Sequence, residues 1–381
     1  MPNRVVRFGI IGAGLMGREF AACALRWPIL LDMDVQPEIV AVCDVKPELL
    51  EWYKHHFPSV SQATTDYHEL LSNPSVDAVY CAVPHNLHAD VYCDVISSGK
   101  HLLGEKPFGI DLEANDRIMA AIESHPKVLV RVSSEFPFYP GAQRIARAVA
   151  EGKFDSIIDV RSGFLHSSDL DPSKPINWKR IARFNGEYGC MGDLGLHALH
   201  LPLRFGWNPR NVRAVLSNIF QERPGPDGTL VPCDTWDNAT LATQVDLGDA
   251  GFPMIIDIKR ISPGDMDTWY LEVTGTRCSM RFSTKHPKTL WTLDYEPGHE
   301  QSWQAADLGY AGPYKTISGE IFEFGFTDAL LQMWAAFVDE LAHGKEMLQP
   351  FTCATPDESH ASHILFTAAL KSQQTGDTLR I

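Results

Sequence analysis

Cysteine is sparse in this 381-residue chain, with eight in all, and no two of them form a CxxC pair. Cys23, Cys43, Cys81, Cys93, Cys190, Cys233, Cys278 and Cys353 also make no Cys/His comb at metal-ligand spacing. Neither a disulfide framework nor a zinc site is indicated, and the thiols read as reduced and mostly buried. Positive charge is in short supply too, 33 Lys and Arg against 48 Asp and Glu, for a formal net charge of −15. Such a field repels a phosphate backbone, and no basic patch overrides it, so a nucleic-acid partner is not expected. No stretch reaches the roughly 18 uninterrupted apolar residues of a membrane span, and the N-terminus shows neither a basic n-region nor a small-residue cleavage site. The expectation is a cytoplasmic protein with no membrane partner. Internal repeats and low-complexity tracts are also missing.

The remaining composition, 44% hydrophobic and 21% charged, is that of an ordinary globular protein, and the length suggests about two domains. Apolar runs at residues 5–11, 39–43, 76–83, 101–104 and 128–132 alternate with helical stretches at 18–27, 48–57, 87–98 and 112–124. Alternation of this kind predicts a parallel sheet with right-handed crossovers. The segment from Pro28 to Pro37 is longer than a tight connection and is expected to protrude as a loop. The first domain is placed at residues 1–133.

Beyond it, after a helix at 142–150, strand-like runs at 157–164, 212–220, 239–245, 254–258, 269–273 and 279–282 follow one another with short turns. That pattern favours a largely antiparallel open sheet in an α+β domain spanning residues 134–381. Helices at 328–342 and 358–373 are expected to cover a sheet face.

Between the first strand and the first helix lies Gly12-Ala13-Gly14-Leu15-Met16-Gly17. Here the first glycine makes the turn, the second lets a pyrophosphate approach the backbone, and the third lets helix pack on strand, while the helix N-terminus stabilises phosphate charge. Asp44 closes the second strand, where a carboxylate can accept the adenosine ribose hydroxyls and repel a 2′-phosphate. NAD is therefore favoured, with NADP left open by nearby Lys46. The bland reading of Asp44 is a cap for the helix beginning near Pro47.

Asp193 and His197, four residues apart, face the same side of a helix and could form a carboxylate–imidazole couple in which Asp193 orients the ring and raises its basicity. An N-cap Asp with a structural His is the alternative. Upstream, Lys179, Arg180 and Arg183 could clamp an anionic substrate group or form a solvated face.

Three further segments complete a pattern. Val83-Pro84-His85-Asn86-Leu87-His88 resembles a strand-end Thr-Pro-Asn-x-x-His. Gly99-Lys100-His101 followed by Glu105-Lys106-Pro107, and Gly189-Cys190-Met191-Gly192-Asp193-Leu194-Gly195-Leu196-His197, match two more signatures in order. With the glycine turn, they make the chain similar throughout its length to the glucose-fructose oxidoreductase, inositol dehydrogenase and MocA family. The resemblance implies a Rossmann doubly wound parallel sheet followed by the α+β domain, and NAD bound by Gly12, Gly14, Leu15, Met16, Gly17, Asp44, Val83, Pro84, Asn86, His88, Glu105 and Lys106. It implies catalysis by Lys106, Asp193 and His197, with Lys106 holding the reacting oxygen.

It also points to Glu135, Phe138, Tyr139 and His200 as active-site candidates, although His200 stands where the family commonly has Asp. The activity implied is oxidation of a secondary hydroxyl on a sugar, polyol or glycoside, in a homodimer or homotetramer. A redox-assisted glycosidase and a non-catalytic dinucleotide sensor are the rival readings.

Overall fold

A computed structural model describes residues 4–247 and 250–381. The first half alternates β1 (Arg4–Ile11), α1 (Leu15–Arg26), β2 (Val35–Cys43), α2 (Pro47–His56), β3 (Gln62–Thr64), α3 (Tyr67–Leu71), β4 (Ala78–Cys81), α4 (His88–Ser97), β5 (His101–Gly104), α5 (Leu112–Ser124) and β6 (Val130–Val132). Its six strands are all parallel, in the order β3-β2-β1-β4-β5-β6. This is the doubly wound order, whose ligand crevice lies outside the carboxyl ends of β1 and β4 where the winding reverses.

Next come α6 (Pro140–Ala150), β7 (Ile157–His166), α7 (Ala182–Asn185), α8 (Cys190–Arg204), β8 (Pro209–Ser217), β9 (Glu222–Pro224), β10 (Leu230–Pro232), β11 (Asn238–Leu247), β12 (Ala250–Lys259), β13 (Asp267–Gly275), β14 (Cys278–Ser283), β15 (Thr289–Asp294) and β16 (Gln304–Asp307). The chain finishes with α9 (Phe326–His343), α10 (Pro356–Thr375) and β17 (Leu379–Arg380). A nine-stranded sheet in the order β16-β15-β14-β13-β7-β12-β11-β8-β17 is antiparallel except where β12 runs parallel to β7. β9 and β10 form a separate hairpin.

α8 explains how the two sheets come to share a site. It is buried along nearly its whole length, from Cys190 to Leu203, and packs across β7 and β12 with Leu194, Ala198 and Leu201 in the second core. Helices apolar on every side belong in interiors. α9 crosses back: Leu330, Leu331, Trp334 and Phe337 join Phe8, Phe20 and Val35 in the core of the first sheet. Trp334 meets Phe8 and Phe20 with ring centroids 5.1 and 4.0 Å apart. A segment late in the sequence thus completes the first sheet's packing, a long-range pairing that periodicity does not reveal.

Two local expectations change. Pro28 to Pro37 is not a protruding loop: Trp27 is buried and its indole donates to the Val35 carbonyl at 3.1 Å. Leu31 N–H donates to the Lys315 carbonyl at 2.8 Å, and Ile317 N–H to the Ile29 carbonyl at 2.9 Å, which pins the segment. α1 starts at Leu15 rather than Arg18, because Gly17 is itself helical and its missing side chain lets the helix lie against the glycine turn.

Candidate active site

Gly12 has φ +97°, and a Cβ there would stand 2.5 Å from the Ala82 carbonyl oxygen, so the turn is pressed against the end of β4. A Cβ on Gly17 would meet the Gly12 carbonyl oxygen at 2.1 Å. Gly14 differs: nothing lies within 4 Å of the position its Cβ would take. It is also the N-cap of α1 and offers no capping side chain, and no acid sits in the first turn. The leading N–H groups therefore face open space at the positive end of a helix, a cradle that suits a pyrophosphate.

Asp44 reaches back to this turn, one oxygen accepting from Ala13 N–H at 2.8 Å and the other from Lys46 N–H at 2.9 Å. Lys46 caps α2, so the carboxylate braces the β2 end while each oxygen keeps a lone pair for a ribose hydroxyl. Leu15 and Met16 line the mouth of the cavity described below. Val83 N–H lies beside Gly12, Pro84 is exposed, and Asn86 Oδ1 is buried without a partner, a second acceptor left for a ligand. His88 takes another role. Fully buried, it has Nε2 2.9 Å from the Val83 carbonyl and Nδ1 2.5 Å from the Pro107 carbonyl, and so ties the ends of β4 and β5 together behind the crevice.

From α1 a cavity of about 520 Å³ runs to α8 between the two sheets. Glu105 and Lys106 enter from the end of β5, Glu135 and Phe136 from the turn after β6, and Asp193 and His197 from α8. Lys106 Nζ hydrogen-bonds the Asp193 carbonyl and lies 3.1 Å from Asp193 Oδ1, which Lys179 Nζ also reaches at 2.8 Å. The other carboxylate oxygen is bonded by Arg260, whose Nε holds Asp169 at 2.8 Å. Burial would raise the Asp193 carboxyl, but Lys106, Lys179 and Arg260 outweigh it and hold it well below the usual range.

The expected couple between Asp193 and His197 is not formed. Asp193 is committed to three cations, and His197 Nδ1 instead lies 3.3 Å from Ser134 Oγ. The ring is wedged edge-on between Phe136 and Phe164, with centroids 5.1 and 5.3 Å away, and Trp269 Nε1 donates to the His197 carbonyl at 2.7 Å. Burial first, then Lys106, drives His197 well below the ordinary histidine range, and Asp193 only partly opposes them. His197 is thus neutral near pH 7. With its proton on Nδ1 toward Ser134, Nε2 keeps the lone pair a base needs.

The clamp for an anion does not assemble either. Only Lys179 of the three cations lines the cavity. Arg180 is fully buried against Asp237 and donates to Asn218 Oδ1 at 3.2 Å, while Arg183 is exposed and lies over the Phe184 ring at 4.5 Å. His200 is buried, with Nε2 3.1 Å from Arg204 and 3.7 Å from Glu358. A 3₁₀ turn explains the others: it sends Phe136 to the cavity and buries Phe138 and Tyr139 in separate cores.

Sequence reasoning missed Arg260, Ser134, Phe164 and the His166–Asp267 pair, whose atoms stand 3.1 Å apart on the cavity wall. Arg260 had a usable signal, being a cation one residue past the end of an apolar strand, much as Lys106 stands two residues past the end of β5. Among the described residues, no cluster of three or more His, Cys, Asp or Glu side chains could hold a metal ion, and no helix is long and apolar enough to cross a membrane.

A doubly wound sheet with an open glycine cradle at its switch point defines a dinucleotide-binding domain. Residues 6–133 match the Gfo/Idh/MocA model, an oxidoreductase family with an NAD-binding Rossmann fold. The chain is 23% identical to levoglucosan dehydrogenase of Pseudarthrobacter phenanthrenivorans over 80% of this chain and 81% of that one. Identity to the 1,5-anhydro-D-fructose reductase of Ensifer adhaerens is 29%, over 55% of this chain and 59% of the reductase. A solved levoglucosan dehydrogenase in complex with NADH superposes with a TM-score of 0.89 at 20% identity, covering 99% of both chains.

Proposed function

We propose that this protein oxidises a secondary hydroxyl of an uncharged sugar, polyol or glycoside, passing hydride to NAD. The observation that carries the reading is the convergence of Lys106, Asp193 and His197 on one cavity that opens onto the glycine cradle. When bound, the nicotinamide supplies the hydride acceptor, and the chain supplies orientation and proton handling. The Gly12–Gly17 turn and the α1 N-terminus would hold the pyrophosphate, and Asp44 the ribose.

Neutral His197 takes the hydroxyl proton at Nε2, with Ser134 fixing the tautomer. The Lys106 ammonium, held by Asp193, stabilises the negative charge that grows on the oxygen as the proton leaves. Lys106 therefore lowers the basicity of His197 and the pKa of the alcohol together. Asp193 acts as the hub that keeps Lys106 in place.

Charge balance favours a neutral substrate. Four cations, Lys106, Lys174, Lys179 and Arg260, line the cavity beside four carboxylates, Glu19, Glu105, Asp193 and Asp267, and the buried Glu135, whose carboxyl is pushed up to about 8 by burial and the adjacent Glu105. Each of these cations already has a carboxylate partner, Lys106, Lys179 and Arg260 on Asp193 and Lys174 on Asp169. The relatives named for levoglucosan and anhydrofructose, both uncharged, support the same class.

The test is turnover of neutral anhydrosugars, hexoses and inositols, beside matching uronates and sugar phosphates, followed by the absorbance of reduced nicotinamide. Neutral compounds should give the higher kcat/KM. Aglycone release without net reduction of NAD would refute the dehydrogenase reading.

A further inference from the structure

Resting on that reading of the site, we infer that Arg223 is a positioning residue for substrate binding: from the β9–β10 hairpin it fixes the segment between β7 and α7 that walls one side of the cavity. Residues 167–177 of that segment form neither helix nor strand, and Pro172 and Pro175 bring no N–H group. Even so, Ser168, Lys174, Asn177, Trp178 and Lys179 all line the cavity. Carbonyls with no ladder to enter need donors from elsewhere.

Arg223 supplies them. Its side chain is fully buried, and the guanidinium donates to the Asp169 carbonyl, to the Asp171 carbonyl at 2.7 Å and to the Lys174 carbonyl at 3.4 Å. The Phe220 ring lies 5.3 Å from the centre of the group. Among the described residues Arg223 makes no ion pair, so its hydrogen bonds go to backbone carbonyls alone. A buried cation is costly unless its donors are used, and a planar fork of five donors suits the gathering of several carbonyls. Beside it the Ile176 N–H donates to the Pro224 carbonyl at 2.8 Å. β9 and β10 belong to neither large sheet and grip this segment instead.

The same segment carries groups that meet the reaction centre. While the Asp169 carbonyl accepts from Arg223, its carboxylate accepts from Arg260 Nε at 2.8 Å, and Arg260 also holds Asp193. One residue thus links hairpin to hub. Ser168 Oγ accepts from Arg260 at 3.2 Å, Lys179 Nζ lies 2.8 Å from Asp193 Oδ1, and the Trp178 ring meets His85 edge-on at 4.7 Å. If the three carbonyls lose their donor, this wall moves relative to Lys106 and His197. The glycine cradle and Asp44 stand on other elements, so the effect falls on the substrate rather than on NAD.

The test compares wild type, Arg223→Met and Arg223→Lys on a neutral sugar that the wild type oxidises, reading kcat and KM separately together with NAD affinity and amide hydrogen exchange over residues 167–181. Arg223→Met keeps the length of the side chain and removes every donor. KM should rise roughly 10- to 100-fold, the scale of an ångström's misplacement, with kcat and NAD affinity nearly unchanged. The Ile176 amide should exchange at least about tenfold faster, while α1 keeps its protection. Arg223→Lys retains a charge and three donors without the planar fork, and should bring KM back to within about threefold of wild type.

A general loss of stability would lower kcat in proportion to the folded fraction and leave KM alone, and that pattern would overturn the assignment. So would unchanged exchange at Ile176, or faster exchange there with an unchanged KM. Should Arg223→Met fail to fold, Arg223→Lys decides: a KM and an Ile176 exchange rate both equal to wild type would overturn the assignment, and a rise in both would support it. A wild type that binds NAD yet oxidises no sugar or polyol would refute the proposed function, whereas Ile176 exchange reports the Arg223 contact independently of turnover.

Discussion

Gly14 and Gly17 belong to one motif, yet the structure predicts that replacing them fails for different reasons. At Gly17 a Cβ would sit 2.1 Å from the Gly12 carbonyl oxygen and 2.8 Å from the Tyr53 hydroxyl, so even alanine forces α1 away from β1 before any cofactor arrives. Overpacking of this kind costs about 1–3 kcal/mol. At Gly14 the space is empty and the backbone, with φ −71° and ψ −154°, is extended and open to any residue. Loss of a glycine cap and the smaller entropy of the unfolded chain act in opposite directions, so the apo stability of Gly14→Val should stay within about 1 kcal/mol of wild type.

The added side chain instead fills the phosphate cradle. If the Kd for NAD rises about 100-fold, NAD at 100 times the wild-type Kd stabilises wild type by about 2.7 kcal/mol and the variant by only about 0.4 kcal/mol. Thermal unfolding with and without NAD, paired with calorimetric titration, separates the cases. Gly14→Val should unfold normally alone and lose the NAD-induced shift, while Gly17→Ala should unfold early in both. An unimpaired NAD shift in Gly14→Val would refute the cradle assignment, and an apo Gly17→Ala as stable as wild type would refute the packing argument.

Lys106→Ala and His197→Ala should each lower kcat by roughly 10²-fold or more in proteins that still bind NAD; a smaller loss in burst-free steady-state assays would remove that residue from the chemistry. Because His197 is held below the ordinary histidine value of about 6.5, the acid limb of kcat/KM should fall below that pH, and His197→Ala should abolish it. His88, held at about 4, and His200, at about 3, are depressed in the same way. As pH drops below about 6.5, the unfolded chain therefore binds protons that the folded one refuses. Stability should fall on that side, which acid titration by circular dichroism would follow; a fold equally stable at pH 4 would contradict it. Asp193→Asn removes the buried carboxylate that Lys106, Lys179 and Arg260 share, and should destabilise the protein by about 3–5 kcal/mol as well as impair turnover. Arg180→Met should alter stability but leave KM unchanged, and a KM effect would place Arg180 in the site after all.

Local chemistry was legible in the residues because it depends on short-range geometry. The glycine turn, the carboxylate that closes β2, the Lys106 strand end and the i,i+4 pair on α8 each need only neighbours in sequence, and each stands where spacing and resemblance put it. The alternating first sheet and the run of antiparallel strands follow equally from periodicity.

What local pattern could not decide is which side chains meet across the two sheets. Asp193 lies one helical turn from His197, but its partners come from the end of β5, the segment before α7 that carries Lys179, and the end of β12, because a buried carboxylate needs cations that its own helix does not carry. For the same reason His197 turns to Ser134. Arg180 and Arg183, near Lys179 in sequence, are drawn to Asp237 and Phe184 instead of to the cavity, and α9 packs Trp334 on Phe8 and Phe20 from more than three hundred residues away. Charge pairing and core closure act between groups distant in the chain, so the partners of Asp193 and His197 emerged only when the tertiary structure brought them together.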